Sequence, residues 1–442
     1  VSASFGLDGL VWIAGIEDTC VYPPAHHDMA PLDEYALTGH DDHWRDDLDA
    51  VRALGATALR YGVNWPLVHT APDTFDWRVL DERLAYATSI GLTIIADLVH
   101  YGTPTWLAGS FADADYPSVV AEFAGAFAAR YRGVVDHITP LNEPVTTASF
   151  CGLRGVWPPA LTGWDGWTRV VVAMACGIVR SVAAIRAANP DAVIVHVEAA
   201  STYVAGDTSL AEHAALLTEL GWVPTDLVLG RVAPGHAAYD WLVSHGASTS
   251  ELDTLVRAPA TIDLLGVNYY PDLSPRTLMP SAAATSIAAS TDGEDVAQLA
   301  VNEWTDGLAA ALRAFGERYG LPMAVTETSI EGSDEVRSAW VRDSTACVVA
   351  LRADGVDVRG YTWWPVFDFV DWSYASGGRN VEEFVVADAV VAARQGSGAK
   401  TPYLRRMGLV RLEEQPDGTL DRVPTPAAAE FARVAGVRGS VA

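Results

Sequence analysis

Eight short, almost continuously apolar runs, each followed by a stretch with helical spacing, constrain the fold of this chain more than any other feature. The runs are Leu10–Gly15, Ala58–Trp65, Leu92–His100, His137–Asn142, Ala192–Val197, Ile262–Tyr270, Met323–Thr328 and Val358–Val366. Strands apolar on both faces must be covered on both faces, which is the condition of a parallel sheet flanked by helices. Between them, Asp41–Leu54, Trp77–Ile90, Ser118–Arg132, Trp167–Ala188, Thr305–Tyr319 and Asp334–Asp354 carry helical spacing. Asp76 and Ser333 stand where N-caps belong, and Gly55, Gly91, Gly320 and Gly355 where helices should stop. The alternation runs from end to end and predicts an α/β fold, a single (β/α)8 TIM barrel occupying residues 1–442 as one domain. Two long loops, near 271–303 and 373–402, follow strands and should project from the C-terminal face, where barrel enzymes keep their sites. The first contains Pro280–Gly293, low in complexity, which reads as a mobile loop.

Composition narrows the function classes. The chain carries 56 Asp+Glu against 29 Lys+Arg, a formal charge of −27. That balance argues against a nucleic-acid partner, which needs a basic patch, and against an anionic membrane surface. No run of 18 apolar residues is free of charge, so no membrane span is expected. Cys20, Cys151, Cys176 and Cys347 are scattered and read as free thiols. With no leader pattern at residue 1, the expectation is a cytoplasmic protein. His26-His27-Asp28 and His40-Asp-Asp-His43 look like ligand clusters but fall at no strand end. A polar loop and a helix N-terminus are the better readings, so no metal and no cofactor are implied.

The chemistry should lie where buried strands end in polar groups. Thr139-Pro-Leu-Asn-Glu-Pro144 ends the fourth run with Asn142 and Glu143, and Ala324-Val-Thr-Glu-Thr328 ends the seventh with Glu327. A single glutamate at a strand end is most often an ordinary loop carboxylate. Two on opposite sides of one barrel mouth are the equipment for glycoside hydrolysis. One must stay protonated to donate to the leaving oxygen, the other ionised to attack the anomeric carbon. Pro144 should turn the chain off the strand immediately after Glu143.

At this point the chain resembles glycoside hydrolase family 1, the retaining β-glucosidases and β-galactosidases. Thr139–Pro144 is similar to T-x-N-E-P with an extra residue between Thr and Asn, and Val325-Thr-Glu327 to I/V-T-E-N-G with Thr328-Ser329 in place of Asn-Gly. Leu265-Gly-Val-Asn-Tyr-Tyr270 resembles G-I-N-Y-Y, and Gly360–Trp372 resembles G-Y-x-x-W-S-L-x-D-N-F-E-W. Gly408-Leu-Val and Pro424-Thr-Pro resemble the closing segments, so the motifs span nearly the whole chain in order. The resemblance implies Glu143 as acid/base and Glu327 as nucleophile, with Asn142 on the sugar 2-hydroxyl. It also implies Arg60 beside the nucleophile, keeping it ionised, and Tyr270 orienting it.

For sugar binding, the resemblance implies His100 on the 3-hydroxyl, Tyr101 where the family has Trp, Trp364 as aromatic floor and Trp372 at the rim. Three departures accompany these matches. Gly15 replaces the glutamine of Q-I-E-G, a clamp on the 3- and 4-hydroxyls; Asp371 replaces the glutamate that binds the 4- and 6-hydroxyls; and an insertion follows Trp372. Gly15 should open space beside the nonreducing end. The expected substrate is therefore a small-molecule glycoside or oligosaccharide whose glycone is not plain β-glucose, such as a substituted sugar or a disaccharide unit. A transglycosidase using the same intermediate is the nearest alternative, and a non-catalytic carbohydrate-binding barrel a distant one.

Overall fold

The computed structural model describes Phe5 and residues 9–280 and 296–437. Each apolar run marks one strand: β1 Val11–Gly15, β2 Ala58–Gly62, β3 Thr93–Asp97, β4 His137–Thr139, β5 Val193–Ala199, which runs two residues past its predicted end, β6 Leu264–Asn268, β7 Met323–Glu327 and β8 Val358–Trp363. They pair in parallel, each with its sequence neighbours, and β8 returns to β1 to close the barrel. Inside it, Ile13, Ala58, Ile95, Val195, Val197, Leu264 and Ala324 form their own apolar cluster, while the larger core lies between sheet and helices. This is the (β/α)8 barrel that the alternation predicts.

The outer ring is α1 His40–Ala53, α2 Arg78–Ser89, α3 Tyr116–Arg130, α4 Gly163–Ala188, α5 Ala211–Val228, α6 Trp304–Tyr319, α7 Asp334–Ala353 and α8 Pro426–Val434. Ser333 caps α7, its hydroxyl accepting from the Val336 amide at 3.4 Å. Asp76 is one residue too early for its predicted role: Trp77 occupies the cap position, and the Asp76 carboxylate instead clasps Arg78. The helical pattern above does not mark α5, because Pro224 lies inside it. One described helix, α4, is long and apolar enough to cross a membrane, and here it lies along α3 with Val170, Met174, Ile178 and Ile185 buried. All four cysteines are free thiols.

Most of the apolar runs overshoot their strands at the C-terminal end, and the excess forms the mouth. β2 stops at Gly62 before Asn64, β3 stops at Asp97 before His100, and β4 stops at Thr139 before Asn142 and Glu143. Above the mouth, Thr202–Ala205, Pro275–Pro280 and Val296–Ala300 make a three-stranded sheet. Most of the low-complexity Pro280–Gly293 stretch lies outside the described residues. The second long loop is ordered around a helix at Asp388–Arg394, and its Val385 amide donates to the Gln298 carbonyl at 3.0 Å. The two long loops are thus joined over the barrel.

Candidate active site

Arg60 organises the site. It sits on β2, fully buried, where a guanidinium can exist only with anionic partners around it. One arm pairs with Glu327 Oε1; the other pairs with Asp97 and donates to Asn142 Oδ1 at 2.6 Å. The second Glu327 oxygen accepts from the Tyr270 hydroxyl at 2.7 Å. Burial pushes the Glu327 carboxyl up and the Glu143 charge adds to this, while Arg60, His100 and the Tyr270 hydroxyl pull it back. Burial and Glu327 together push the Tyr270 hydroxyl up, so it stays a donor.

Glu143 meets a different environment. It follows β4 in the left-handed region, φ 43°, an uncommon conformation for a residue with a side chain. Pro144 starts the next helical turn, and the Glu143 amide is held by the Val197 carbonyl at 3.2 Å. Its carboxylate accepts from the Asn268 amide at 2.7 Å and from the Tyr101 hydroxyl at 2.8 Å, both neutral donors. Thr326 on β7 fixes Asn268 in turn, donating to its Oδ1 at 2.6 Å. With Oδ1 taken by Arg60, Asn142 turns its amide nitrogen to Tyr101 Oη and His100 Nε2, each at 3.0 Å. His100 Nδ1 faces Asp18 at 2.6 Å and Asp97 at 3.2 Å; burial disfavours its charge, but the two carboxylates outweigh burial and hold the imidazole well above its usual range.

One cavity holds Glu143, Glu327, His100, Tyr101, Tyr270 and Trp364, with Trp372 on its wall. The Trp372 indole N–H is buried there without a partner. Two sequence expectations fail at the sugar end. The space beside Gly15 is not open: a Cβ on Gly15 would lie 1.8 Å from Trp364 Cε3, so the indole occupies it. That ring stacks on His100 (centroids 5.6 Å apart, 7° between planes), lies 4.7 Å from the Arg60 guanidinium and donates to Glu17 at 2.9 Å. Asp371 is not a cavity residue: it is 1% exposed and held by Arg394 at 2.9 Å and Arg405 at 3.3 Å. Arg405, not Asp371, lines the cavity, with Glu382 and Glu383 from the insertion.

Sequence reasoning passed over Asn268, Asp97 and Asp18. The first two end apolar strands, the same signal that marked the glutamates. Asp18 stands at the Gly position of Q-I-E-G and carries no periodic signal. Of the histidine clusters, His40 is engaged by Asp47 and Tyr61, each at 2.8 Å. Among the described residues, Glu17, Asp18 and His100 bring metal-type donors together, as do Glu219, Asp226 and His236. Asp18 and His100 already pair with each other, and Asp226 with Arg318.

Residues 28–381 match the family described as glycosyl hydrolase family 1. The bifunctional β-D-glucosidase/β-D-fucosidase of Bifidobacterium breve is 25% identical over 405 residues, covering 77% of this chain and 85% of its own. Thermostable β-glucosidase B of Thermobispora bispora is 26% identical over 372 residues, covering 77% and 75%. The family 1 β-glucosidase structure from Thermotoga maritima shares the fold, with TM-score 0.74, 16% identity and 98% of each chain covered. The chain belongs to glycosyl hydrolase family 1 and is a retaining β-glycosidase acting on the O-glycosyl bonds of small-molecule glycosides.

Proposed function

We propose that Glu327 is the nucleophile and Glu143 the acid/base. What carries the assignment is the asymmetry of their partners. Glu327 is clasped by the Arg60 guanidinium, which favours its charged form, whereas Glu143 meets only the neutral Asn268 and Tyr101. A Glu327 oxygen attacks the anomeric carbon as Glu143 gives its proton to the leaving oxygen, and the glycosidic bond breaks. The resulting glycosyl ester on Glu327 is then opened by water. Glu143, now a carboxylate, takes the water proton, the water oxygen bonds to the anomeric carbon, and Glu327 departs with net retention. The unpartnered Trp372 indole N–H supplies a donor for a sugar hydroxyl and Trp364 an aromatic wall, while Asn142, its amide already committed to Arg60, Tyr101 and His100, acts by holding those groups.

The glycone in this reading is not unmodified β-glucose. Gly15 provides no amide clamp, and Asp371 is tied to two arginines, so the outer hydroxyls lose both family contacts. A monosaccharide other than glucose, or one substituted at an outer hydroxyl, fits the remaining groups. A disaccharide unit reaching past Gly15 does not, because Trp364 fills that route. The test is a panel of 4-nitrophenyl β-glycosides followed by trapping with the 2-fluoro analogue of the best one. Label on Glu327 and a non-glucose optimum are expected. Label on another residue overturns the nucleophile, and fastest turnover of the plain glucoside overturns the glycone.

A further inference from the structure

The cavity that holds the two glutamates spans the barrel mouth. Glu17, His100 and Trp364, from the β1, β3 and β8 ends, line one side. On the other side Val145, following Glu143, and Ala200, following β5, lead to Trp164 and Trp167 of α4 and Leu217, Leu220 and Gly221 of α5. Glu143 protonates the leaving oxygen, so the side that continues from Glu143 is where a leaving group would lie. That side is apolar and aromatic. Tyr203, Arg276 and Gln298 from the three-stranded sheet line the cavity there too, joined by Phe384 of the insertion.

Gly221 is the informative residue. It lies inside an 18-residue helix, where glycine weakens the helix relative to alanine. Close packing explains Gly177 of α4, since a Cβ there would fall 2.8 Å from the Tyr116 ring. No such explanation serves Gly221, whose Cβ would meet only the Ser201 carbonyl oxygen, at 3.9 Å. The residue leaves room on the cavity wall. Of the charges nearby, Arg154 pairs with Glu383 at 3.3 Å and Arg405 with Glu382 at 3.8 Å, while Arg276 lies 4.6 Å over the Phe384 ring and donates to the Gln298 side chain at 3.3 Å.

We infer that this side accepts a bulky, apolar aglycone, an extended alkyl or fused-ring group, and that Gly221 sets the size admitted. The inference rests on the reading of Glu143 and Glu327 as the cleaving pair. Methyl and hexyl β-glycosides of the preferred sugar test it, because their leaving alcohols are chemically alike and only apolar contact differs. The wild type should show kcat/KM at least about tenfold higher for the hexyl glycoside, the discrimination one or more buried methylenes provide. Gly221→Leu should lower the hexyl/methyl ratio by about tenfold. Gly221→Ala should lower it less while raising Tm, and it carries the test if the leucine variant does not fold. A wild-type ratio near one, or a ratio that both variants leave unmoved, overturns the inference. If 4-nitrophenyl glycosides are still cleaved in that case, the assignment of the cleaving pair stands. Failure to cleave any of these glycosides overturns both.

Discussion

The two ends of the sugar-binding side are built on different principles. Around the glutamates, Arg60, Asn142, Asn268, Thr326 and Glu327 sit on strands or shortly after them, and each side chain is held by a group from a neighbouring strand. At the outer end, Asp371, Arg394 and Arg405 come from the segments that follow β8 and satisfy one another, and the Trp364 indole donates to Glu17. The first arrangement keeps the bond-breaking groups in place with no sugar present. The second spends its charges internally and leaves the sugar few polar groups. Bond cleavage is therefore tied to the barrel, and sugar choice to what the loops leave free.

The sharpest way to break that contrast is at the glutamates. Glu327→Gln should lower kcat/KM by about ten-thousandfold or more, leaving what binding alone contributes. Glu143→Gln should cost about a hundredfold to ten-thousandfold, with the smaller losses on activated aryl leaving groups that need less proton donation. Steady-state rates on paired activated and unactivated glycosides would separate the two; equal, small losses would remove both residues from the chemistry.

Arg60→Met should follow in size. Removing one partner of a buried ion cluster costs about 3–5 kcal/mol of stability, since Glu327 and Asp97 are left buried without their counter-charge. The sign of the pH effect follows from the same contact. Attack needs ionised Glu327, whose carboxyl burial already pushes up and whose main opposing influence is the Arg60 guanidinium. Without Arg60 the proton is held to higher pH, so the ascending limb of kcat/KM should move upward in the residual activity. A limb that stays in place would detach Arg60 from the nucleophile.

How much of this is legible in the sequence depends on how far apart the cooperating residues lie and whether they keep a period. The strands are legible because burial on both faces writes itself into each run, as in Leu92-Thr-Ile-Ile-Ala-Asp-Leu98. Arg60 and the two glutamates are legible because a charge on or after such a run demands a partner. Asp371 is not: its partners are Arg394 in the insertion and Arg405 just beyond it, positions that no period links to Asp371, so its charge looks available when it is spent. Gly15 fails for a related reason. Deleting a side chain predicts a gap only if no neighbour can move in, and the neighbour is Trp364, at the other end of the chain but adjacent across the β1–β8 seam.

Asp371 gives a smaller effect with a clear division. If it serves only to hold Arg394 and Arg405, Asp371→Asn should lower Tm and change KM and kcat together through the displaced Arg405. If it binds the sugar, KM should rise with Tm unchanged. We expect the loss of Tm, by about 1–3 kcal/mol in unfolding free energy, because the amide keeps some hydrogen bonding but not the charge.

Gly15→Ala is the smallest perturbation and the most pointed. A methyl group placed 1.8 Å from Trp364 Cε3 cannot be accommodated without moving the indole, which is itself pinned by His100, Arg60 and Glu17. Overpacking of this kind costs about 1–3 kcal/mol, so Tm should fall and KM should rise as the aromatic wall shifts. Gly221→Ala, at the open glycine on the opposite side of the cavity, should do the reverse to Tm. The opposite signs from one identical substitution would separate a glycine covered by its neighbour from one that keeps space for substrate. If Gly15→Ala leaves Tm and KM untouched, Trp364 has a second resting place, and the sugar end is set by that ring's freedom, not by its packing.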